Sequence, residues 1–322
     1  METTEKYDVA IVGGGAAGLS AALVLGRARR RVLVIDAGSP RNAPAAHMQG
    51  FLSRDGMPPS ELLAAGREEI AGYGVDLVND TVTGLEQMSG GDAGSPLEVS
   101  YRVHLLNGPN VDARRLVVTT GVSDEIPNLP GIRDRWGRDL LHCPYCHGWE
   151  VRDEPLGVLG STADSVQHAL LIRQWSANIT FFTHIYDLTD TERRQLDARG
   201  IRVVTGEVAR LVVDDDRLTG VELTDGRVVA RTAVFVRPGI HPHPDGLLAS
   251  LGCRCDDTGF VTTDSTGRTS NPGVWAAGNV ADPRAQVITA AGAGSVAAIA
   301  LNNDLVQADT ERAVTNDVAK YT

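Results

Sequence analysis

Apolar runs and glycine turns alternate with helical patterns along the chain. The run YDVAIV at residues 7–12 predicts a β-strand that enters the turn GGGAAG, and LSAALVLGRARR then has the apolar spacing of a helix. A second β-type run, RVLVID, ends at Asp36. Strand, glycine turn, helix and strand in this order predict one half of a nucleotide-binding α/β domain.

A second copy of this order begins near the middle of the chain. PLGVLGSTADSVQHALLIRQW, at residues 155–175, passes from a β-type run through a glycine-bearing turn into a helix, and NITFFTH predicts the next strand. Two such units in 322 residues predict an α/β fold with two nucleotide-binding, Rossmann-like domains of three layers each.

The remaining segments are rich in β-type residues and turns. Residues 74–87, 101–121 and 201–236 contain short apolar runs separated by Asn-Gly, Gly-Pro and Asp-Gly turns. We expect these strands to complete the two sheets. Residues 90–96, GGDAGSP, predict a surface loop.

The first glycine turn has the residues that a dinucleotide pyrophosphate needs. Gly13 permits the tight turn, Gly15 lets the backbone approach the phosphates, and Gly18 allows the helix to pack closely. The helix N-terminus then faces the phosphates. Asp36 follows Gly18 at close to the spacing of ~20 residues that is typical of an acid that binds ribose hydroxyls. We therefore predict a dinucleotide site here.

The second glycine turn departs from this pattern. Gly160 is present, but Thr162 and Ser165 stand where the second and third small residues are expected. The next strand runs into THIYDLTD without an acid at its end or the arginine that a 2'-phosphate normally requires. Arg193 and Arg194 follow in DTERRQLDARG, which we interpret as a solvated helix face. We expect this domain to bind NADPH poorly.

Composition excludes several classes of partner. Hydrophobic residues make up 42% of the chain and charged residues 22%, and the formal net charge of -11, without a basic block, argues against nucleic acid and anionic membranes. No apolar run approaches transmembrane length, and METTEKYDVAIVGGG lacks the pattern of a signal peptide. We expect a cytoplasmic protein, in which two close cysteines are more often catalytic or metal-binding than structural.

The segment HCPYCHGWE, residues 142–150, contains a C-x-x-C pair between two histidines. Such spacing occurs in zinc half-sites, structural disulfides and redox dithiols. Zinc needs two further ligands, and the other two cysteines, Cys253 and Cys255, lie far along the chain. A C-x-x-C at a helix start lowers the pKa of one thiol and closes a disulfide in a short loop. We favour a redox dithiol of Cys143 and Cys146 and expect no bound metal.

The histidines near the dithiol have different expected roles. His147 is a candidate general base, because an imidazole of ordinary pKa near ~6.5 accepts a thiol proton near neutral pH. A packing role for His147 stays open, and His142 either binds substrate or caps the segment. His241 and His243 lie in GIHPHPDG, which we interpret as a crossover loop between domains.

Aromatic residues lie close to the dithiol in sequence. Trp136, Tyr145 and Trp149 are candidates for lining an apolar substrate pocket, with core packing as the alternative. Cys253 and Cys255 are expected to be a buried and an exposed residue at one strand end. A regulatory disulfide between them is the disfavoured alternative, because C-x-C geometry is strained.

Four motifs together resemble the low-molecular-weight thioredoxin reductase family of FAD disulfide oxidoreductases, over essentially the whole chain. They are GGGAAG, TTG at residues 119–121, the central C-x-x-C, and AAGNVAD with TAAGAG near the end. The resemblance implies a discontinuous FAD-binding domain at 1–121 and 245–322 and a central NAD(P)-type domain at 122–244. It also implies FAD as the cofactor and a homodimer.

The resemblance assigns roles to individual residues. Cys146 would exchange electrons with FAD, and Cys143 with the substrate thiol. Asn279 stands where the family usually has Asp, so it would keep a hydrogen bond without the charge; a loop-turn role is the alternative. The residues expected to hold FAD are Gly13, Gly15, Ala16, Gly18, Asp36, Val82, Gly121, Gly278, Asn279, Gln286 and Val287.

Two departures narrow the resemblance. The family places an acid directly after the second cysteine, where this chain has His147, and its NADPH arginine cluster is missing. CPYCHG and the altered glycine turn look like the dithiol oxidases of epidithiodiketopiperazine and dithiolopyrrolone biosynthesis, the gliotoxin and holomycin type. That resemblance implies oxidation of a small-molecule dithiol to an intramolecular disulfide, with dioxygen reduced to hydrogen peroxide. The alternatives are an NADPH- or ferredoxin-dependent disulfide reductase and a flavin-bound redox sensor.

Overall fold

The computed structural model describes residues 6–88 and 100–318. The loop expected at 90–96 lies outside the described residues, as do the first five residues. The chain divides into two compact units. The terminal unit comprises Met1–Arg41, Ser60–Ser123 and His241–Thr322, and the central unit comprises Asn42–Pro59 and Asp124–Ile240.

The domain limits expected from the sequence, at 121/122 and 244/245, stay predictions. They place residues 42–59 in the first domain, whereas this segment belongs to the central unit. Pro44 lies there against Gly137, where an added Cβ would be 3.0 Å from the Cβ of Pro44.

Strands and helices alternate along the chain. In chain order, the strands are β1 (Lys6–Val12), β2 (Val32–Asp36), β3 (Asp76–Asn79), β4 (Val82–Met88), β5 (Ser100–Leu105), β6 (Val111–Val118), β7 (Val122–Glu125), β8 (Leu140–Leu141), β9 (Leu156–Leu159), β10 (Ile179–Phe182), β11 (Arg202–Val204), β12 (Val208–Asp214), β13 (Arg217–Leu223), β14 (Val228–Ala230), β15 (Ala233–Phe235), β16 (Gly239–Pro242) and β17 (Val274–Ala276). The helices are α1 (Ala16–Arg27), α2 (Pro59–Ala71), α3 (Ile132–Arg135), α4 (Pro144–His147), α5 (Asp164–Ile172), α6 (Asp190–Ala198), α7 (Leu247–Ser250) and α8 (Val287–Val318), and a 3-10 turn spans Gly278–Val280.

The terminal unit is built on a seven-stranded sheet in the order β3-β2-β1-β6-β5-β4, with β17 also paired to β6. β3, β2, β1, β6 and β17 run parallel, whereas β5 is antiparallel to β4 and β6. Alternate residues of β1 enter different cores: Val9 and Ile11 pack with residues of α1 and α8, and Ala10 and Val12 with residues of β4 and β5. Because both faces are covered, YDVAIV is almost continuously apolar.

Helices α1 and α8 pack against each other through small residues. A Cβ on Gly294 would lie 2.0 Å from the backbone oxygen of Ala17, so the helices approach closely there. Ala297 and Ala298 are fully buried in the same core. The small-residue pattern TAAGAGSVAAIAL is therefore the packing surface of α8.

The central unit is built on a five-stranded parallel sheet in the order β11-β10-β9-β15-β8. Residues of α5 and α6 cover one face, where Val166, Ile172 and Leu196 are buried with Phe181. The second glycine turn therefore connects a strand to its crossover helix, as the sequence predicts.

The expectation that all β segments complete the two main sheets is wrong. β12, β13 and β14 form a separate three-stranded antiparallel sheet. Short turns pair these strands locally, and Leu211, Leu218 and Val221 pack in one core with Leu159 and Phe182 of the main sheet. The separate sheet is thus the third layer of the central unit, in place of a second layer of helices.

The segment GIHPHPDG, at residues 239–246, was expected to be a crossover loop but is partly a strand. β16 extends to Pro242 and pairs with β7 as a two-stranded sheet. His243 follows it, and its Nδ1 lies 2.8 Å from the Oγ of Ser123. Pro242 is therefore the last residue of a paired strand, and Pro244 follows a histidine whose side chain has a fixed partner.

Candidate active site

The residues expected to bind FAD meet at one edge of the terminal sheet. β1 ends at Val12, β2 at Asp36, β6 at Val118 and β17 at Ala276. These strands are parallel, so their carboxyl ends lie at the same edge, where open α/β sheets bind ligands.

The first glycine turn at this edge has an open approach to the backbone. Gly13 has a φ of +106°, and a Cβ there would lie 2.5 Å from the backbone oxygen of Thr119. A Cβ on Gly18 would lie 1.9 Å from the oxygen of Gly13, so α1 packs directly on the turn. At Gly15 an added Cβ meets nothing within 4 Å. Among the described residues no side chain caps α1, which begins at Ala16, so no side chain satisfies its first N–H groups.

Asp36 lies directly beside this turn. A Cβ on Gly14 would lie 2.7 Å from the Cγ of Asp36, so the carboxylate contacts the turn backbone. The Nη2 of Arg67, on α2, donates to Asp36 Oδ2 at 2.8 Å. Sequence reasoning did not identify Arg67, because α2 carries no motif and the pairing depends on how α2 packs.

Val82 and Gly121 are brought to the same edge through their neighbours. The N–H of Asp80, two residues before Val82, donates to the backbone oxygen of Asp36 at 3.1 Å. Thr119, two residues before Gly121, donates from Oγ1 to the oxygen of Gly13 at 2.9 Å. Gly121 has a φ of +80° and open space at its Cβ position.

The late motif also reaches this edge. A Cβ on Gly278 would lie 3.0 Å from the Cβ of Ala17 in the first turn of α1. The Nδ2 of Asn279 donates to the backbone oxygen of Ala285 at 2.9 Å and also contacts those of two other loop residues. Asn279 therefore fixes the loop that leads to Gln286 and Val287 at the start of α8, which is the loop-turn role named as an alternative; its contact with FAD stays a prediction.

These features fit an adenine dinucleotide. An uncapped helix start, an open glycine and an adjacent carboxylate supply the phosphate and ribose contacts that such a cofactor needs. In the structure, Gly13, Gly15, Ala16, Gly18 and Asp36 would hold the adenosine diphosphate half of FAD.

Cys143 and Cys146 form a disulfide with Cα atoms 5.2 Å apart. The expectation that the pair starts a helix is confirmed: Cys143 is the N-cap of α4, and Pro144 is its first residue. The N–H of Cys146 donates to the Sγ of Cys143 at 3.2 Å. That N–H would stabilise a thiolate at Cys143 after the disulfide opens.

His147 ends α4 and is half-buried. Burial lowers the pKa of His147 below its ordinary value, and the charge of Glu150 only partly opposes this. The imidazole is therefore neutral at pH 7, which is the form that accepts a proton.

Aromatic residues flank the dithiol on the surface of the central unit. Tyr145 is exposed and its ring meets that of Trp175 edge-on, with centroids 5.4 Å apart. Trp149 is exposed, and the guanidinium of Arg152 lies 4.1 Å from its ring centroid. Trp136 instead packs against a core cluster. Sequence reasoning missed Trp175, because it lies far from the C-x-x-C along the chain.

In the second glycine turn, the side chain of Ser165 accepts hydrogen bonds from two backbone N–H groups. The Oγ of Ser165 accepts from the N–H of Ser161 at 3.2 Å and from that of Thr162 at 3.1 Å. Ser165 is fully buried. The donors that would bind a pyrophosphate in such a turn are thus already satisfied.

The residues after β10 are also engaged. The Oγ1 of Thr183 accepts from the N–H of Gly206 at 3.2 Å, and the Nδ1 of His184 accepts from that of Val208 at 3.1 Å. In a dinucleotide site these positions hold the ribose or its 2'-phosphate. Here they support the turn before β12. Arg193 and Arg194 lie exposed on α6.

The remaining candidates have no place in the dithiol site. Cys253 is a buried and Cys255 an exposed free thiol, as expected from the sequence. Among residues 6–88 and 100–318, no three acidic, histidine or cysteine side chains cluster as a metal site would require. Over the same ranges, no helix combines the length and apolar character that crossing a bilayer requires.

Comparisons with known proteins agree with this geometry. The family model for pyridine nucleotide-disulphide oxidoreductases matches residues 7–295, and the chain belongs to this family. It is a disulfide oxidoreductase with the thioredoxin reductase-like fold and with FAD as its cofactor.

The chain is similar to a solved structure and to curated relatives, two of which are described as thioredoxin reductases. The crystal structure of HlmI is 53% identical, covers 99% of both chains and superposes with a TM-score of 0.95. Thioredoxin reductase sirT of Leptosphaeria maculans is 31% identical over 94% of this chain and 95% of its own. A protein of Arthroderma benhamiae described as a probable thioredoxin reductase is 37% identical, but this match spans 48% of the present chain and 38% of that protein's length.

Proposed function

We propose that this protein oxidises a small-molecule dithiol to an intramolecular disulfide, as in the formation of disulfide-containing natural products of the holomycin type. The Cys143–Cys146 disulfide is the immediate oxidant, and dioxygen is the final acceptor. The overall reaction converts one dithiol and one dioxygen into one disulfide and one hydrogen peroxide, with two electrons and two protons transferred.

The observation that carries this proposal is the hydroxyl of Ser165. It accepts from the backbone N–H groups of Ser161 and Thr162, where the pyrophosphate of NADPH would have to bind. A phosphate would have to displace a fully buried side chain and replace both bonds. Because entry of electrons from a pyridine nucleotide is disfavoured, a thiol substrate is the better electron source.

The geometry of α4 supports the following thiol chemistry. A substrate thiolate attacks the Sγ of Cys143, forming a mixed disulfide and releasing the thiolate of Cys146. The second thiolate of the substrate then attacks the substrate sulfur that is bonded to Cys143. This step forms the intramolecular disulfide of the product and releases Cys143 as a thiolate. The N–H of Cys146, 3.2 Å from the Cys143 Sγ, stabilises the departing thiolate.

Proton transfer is assigned to His147. Burial holds the pKa of His147 below its ordinary value, so its neutral imidazole accepts the proton of the attacking thiol at physiological pH. The chemistry supplied by FAD, when bound, is two-electron transfer from the cysteine dithiol to dioxygen. Exposed Tyr145 and Trp149 offer apolar contact to a small substrate beside the disulfide.

A disulfide reductase is the second candidate, since the relative from Leptosphaeria maculans is described as a thioredoxin reductase. In that direction NADPH or ferredoxin would supply electrons and the dithiol of Cys143 and Cys146 would reduce an external disulfide. The chemistry of α4 is compatible with both directions, so the electron source decides between them.

The test measures oxygen consumption and hydrogen peroxide with dithiothreitol and dihydrolipoamide as model dithiols. We expect one peroxide for each cyclic disulfide formed. Cys143→Ser and Cys146→Ser should abolish turnover while FAD stays bound, and Cys255→Ser, at the exposed free thiol, should leave it unchanged. Turnover that survives loss of either active-site cysteine would remove the disulfide from the reaction.

A further inference from the structure

His168, on α5, is a buried histidine that the thiol chemistry above does not use. Its side chain is only 4% exposed. The Nε2 of His168 lies 2.9 Å from the backbone oxygen of His142, the residue before Cys143. The ring of His168 also meets Phe235 edge-on, with centroids 5.9 Å apart.

The protonation state of His168 follows from its partner. A carbonyl oxygen only accepts, so Nε2 must carry the hydrogen. Burial, with the charges of His142 and Arg237, lowers the pKa of His168 to about 3, so the ring is neutral at physiological pH. A neutral imidazole has a single N–H, and its Nδ1 finds no hydrogen-bond partner in the described part of the chain.

An apolar ring would fill this space without leaving a buried nitrogen unpaired. What histidine adds at this position is the Nε2–H donor. The unpaired Nδ1 is a cost that packing alone would not require. The donor to His142 is therefore the feature that distinguishes His168 from a core residue.

The bonded carbonyl belongs to the peptide that enters Cys143. Because a peptide is planar, fixing the oxygen of His142 also fixes the nitrogen of Cys143 and the direction of its Cα. On the preceding residue, the oxygen of Leu141 accepts from the N–H of Val236 at 2.9 Å. His168 thus fixes the last peptide between β8 and the N-cap of α4.

We propose that His168 is a positioning residue for Cys143. Its Nε2–H holds the peptide between His142 and Cys143, so that the Sγ of Cys143 keeps its hydrogen bond from the N–H of Cys146. This bond is the one that stabilises a Cys143 thiolate. The inference holds for either direction of electron flow, because Cys143 is a thiolate in both.

The charged and titratable groups around His168 lie on three segments. His142 belongs to the segment before α4, and its ring centroid lies 6.1 Å from that of His168. Arg237 follows β15 and pairs at 3.3 Å with Asp164, at the start of α5.

The test measures the reactivity of Cys143 in FAD-loaded protein carrying Cys146→Ser, which keeps the backbone N–H of residue 146. Iodoacetamide labelling at pH 7 is followed by peptide mass spectrometry, with the exposed Cys255 as the internal reference. His168→Phe should slow the labelling of Cys143 by roughly five- to tenfold, the effect of raising its pKa by about one unit. His168→Gln, whose amide N–H can reach the same oxygen, should restore most of the rate.

His168→Asn completes the series, because its shorter amide cannot reach the carbonyl of His142. If His168→Phe does not yield folded protein, unequal rates in the Gln and Asn variants, with Gln the faster, support the proposal. Equal rates in those two variants, or an unchanged rate in His168→Phe, would overturn it. Labelling needs no turnover, so this outcome is independent of whether the protein proves to be an oxidase or a reductase.

Discussion

The hydroxyl oxygen of Ser165 lies 3.1 Å from the backbone nitrogen of Thr162, in the turn where a Rossmann domain would bind a pyrophosphate. The same oxygen accepts from Ser161 at 3.2 Å, so one side chain satisfies two donors of the turn. The central unit keeps the strand, turn and helix of a nucleotide domain while its own serine occupies the anion position.

Freeing these donors should create nucleotide affinity. We expect Thr162→Gly combined with Ser165→Ala to bind NADH and NADPH at least about tenfold more tightly than the parent. The two nucleotides should bind alike, because the segment THIYDLTD directly after β10 contains no arginine. Isothermal titration calorimetry measures this, with the exposed Thr191→Ala on α6 as the control. Unchanged, negligible binding in the double variant would show that Ser165 does not block the site.

Removing His147 should slow turnover without loss of FAD. His147→Ala should reduce kcat by roughly 10²–10⁴-fold, the usual effect of losing a general base. The pKa of His147 is lowered, so the parent rate should fall only at pH values below the ordinary range for histidine, as the base becomes protonated. The variant should lack this acidic limb. His104→Ala, at a half-exposed site of the terminal unit, should retain the parent profile.

Asp36 should contribute to FAD affinity through the ribose. Asp36→Ala removes the carboxylate that contacts the glycine turn, and we expect FAD to bind about tenfold more weakly, the loss of one or two hydrogen bonds. Fluorescence titration of the deflavinated protein with FAD measures the change. Arg193→Ala, exposed on α6, should bind FAD like the parent, and equal affinity in Asp36→Ala would contradict the assignment.

His168 should make the folded protein sensitive to acid. Its pKa is about 3 when folded and near its ordinary value of 6.5 when unfolded, so between these values the unfolded chain binds a proton that the folded chain does not. The free energy of unfolding therefore falls as pH falls through this window, by about 1.4 kcal/mol per unit. Between about pH 6.5 and 4.5, the parent should lose roughly 2 kcal/mol more than His168→Gln in urea titrations. Above neutral pH, the free energy of unfolding should depend on pH in the same way in the parent and in His168→Gln. Equal pH dependence over the whole range would contradict the lowered pKa of His168.

Much of the fold follows from local patterns. The run YDVAIV, the glycine turn and the following helix predict β1 and α1, because period and turn chemistry are encoded within a few residues. The separate sheet of β12, β13 and β14 was not predicted. Sequence pattern identifies its strands, but which layer they join depends on long-range packing against residues such as Leu159.

The candidate site divides in the same way. C-x-x-C at a helix start is a local pattern, and the structure confirms the helix and the disulfide. Arg67 beside Asp36, Trp175 beside Tyr145 and His168 behind His142 are contacts between distant segments, and no short motif marks them. At Ser165 the sequence shows a residue too large for the pattern, but only the structure shows which donors its hydroxyl takes.

The most direct test of the proposed direction mixes the FAD-loaded protein, without oxygen, with either dithiothreitol or NADPH in a stopped-flow spectrometer. We predict that the dithiol bleaches the flavin absorbance within seconds, that NADPH does so slowly or not at all, and that air restores the colour with formation of hydrogen peroxide. Rapid bleaching by NADPH, followed by reduction of an added disulfide, would contradict the proposed dithiol oxidation and establish a reductase.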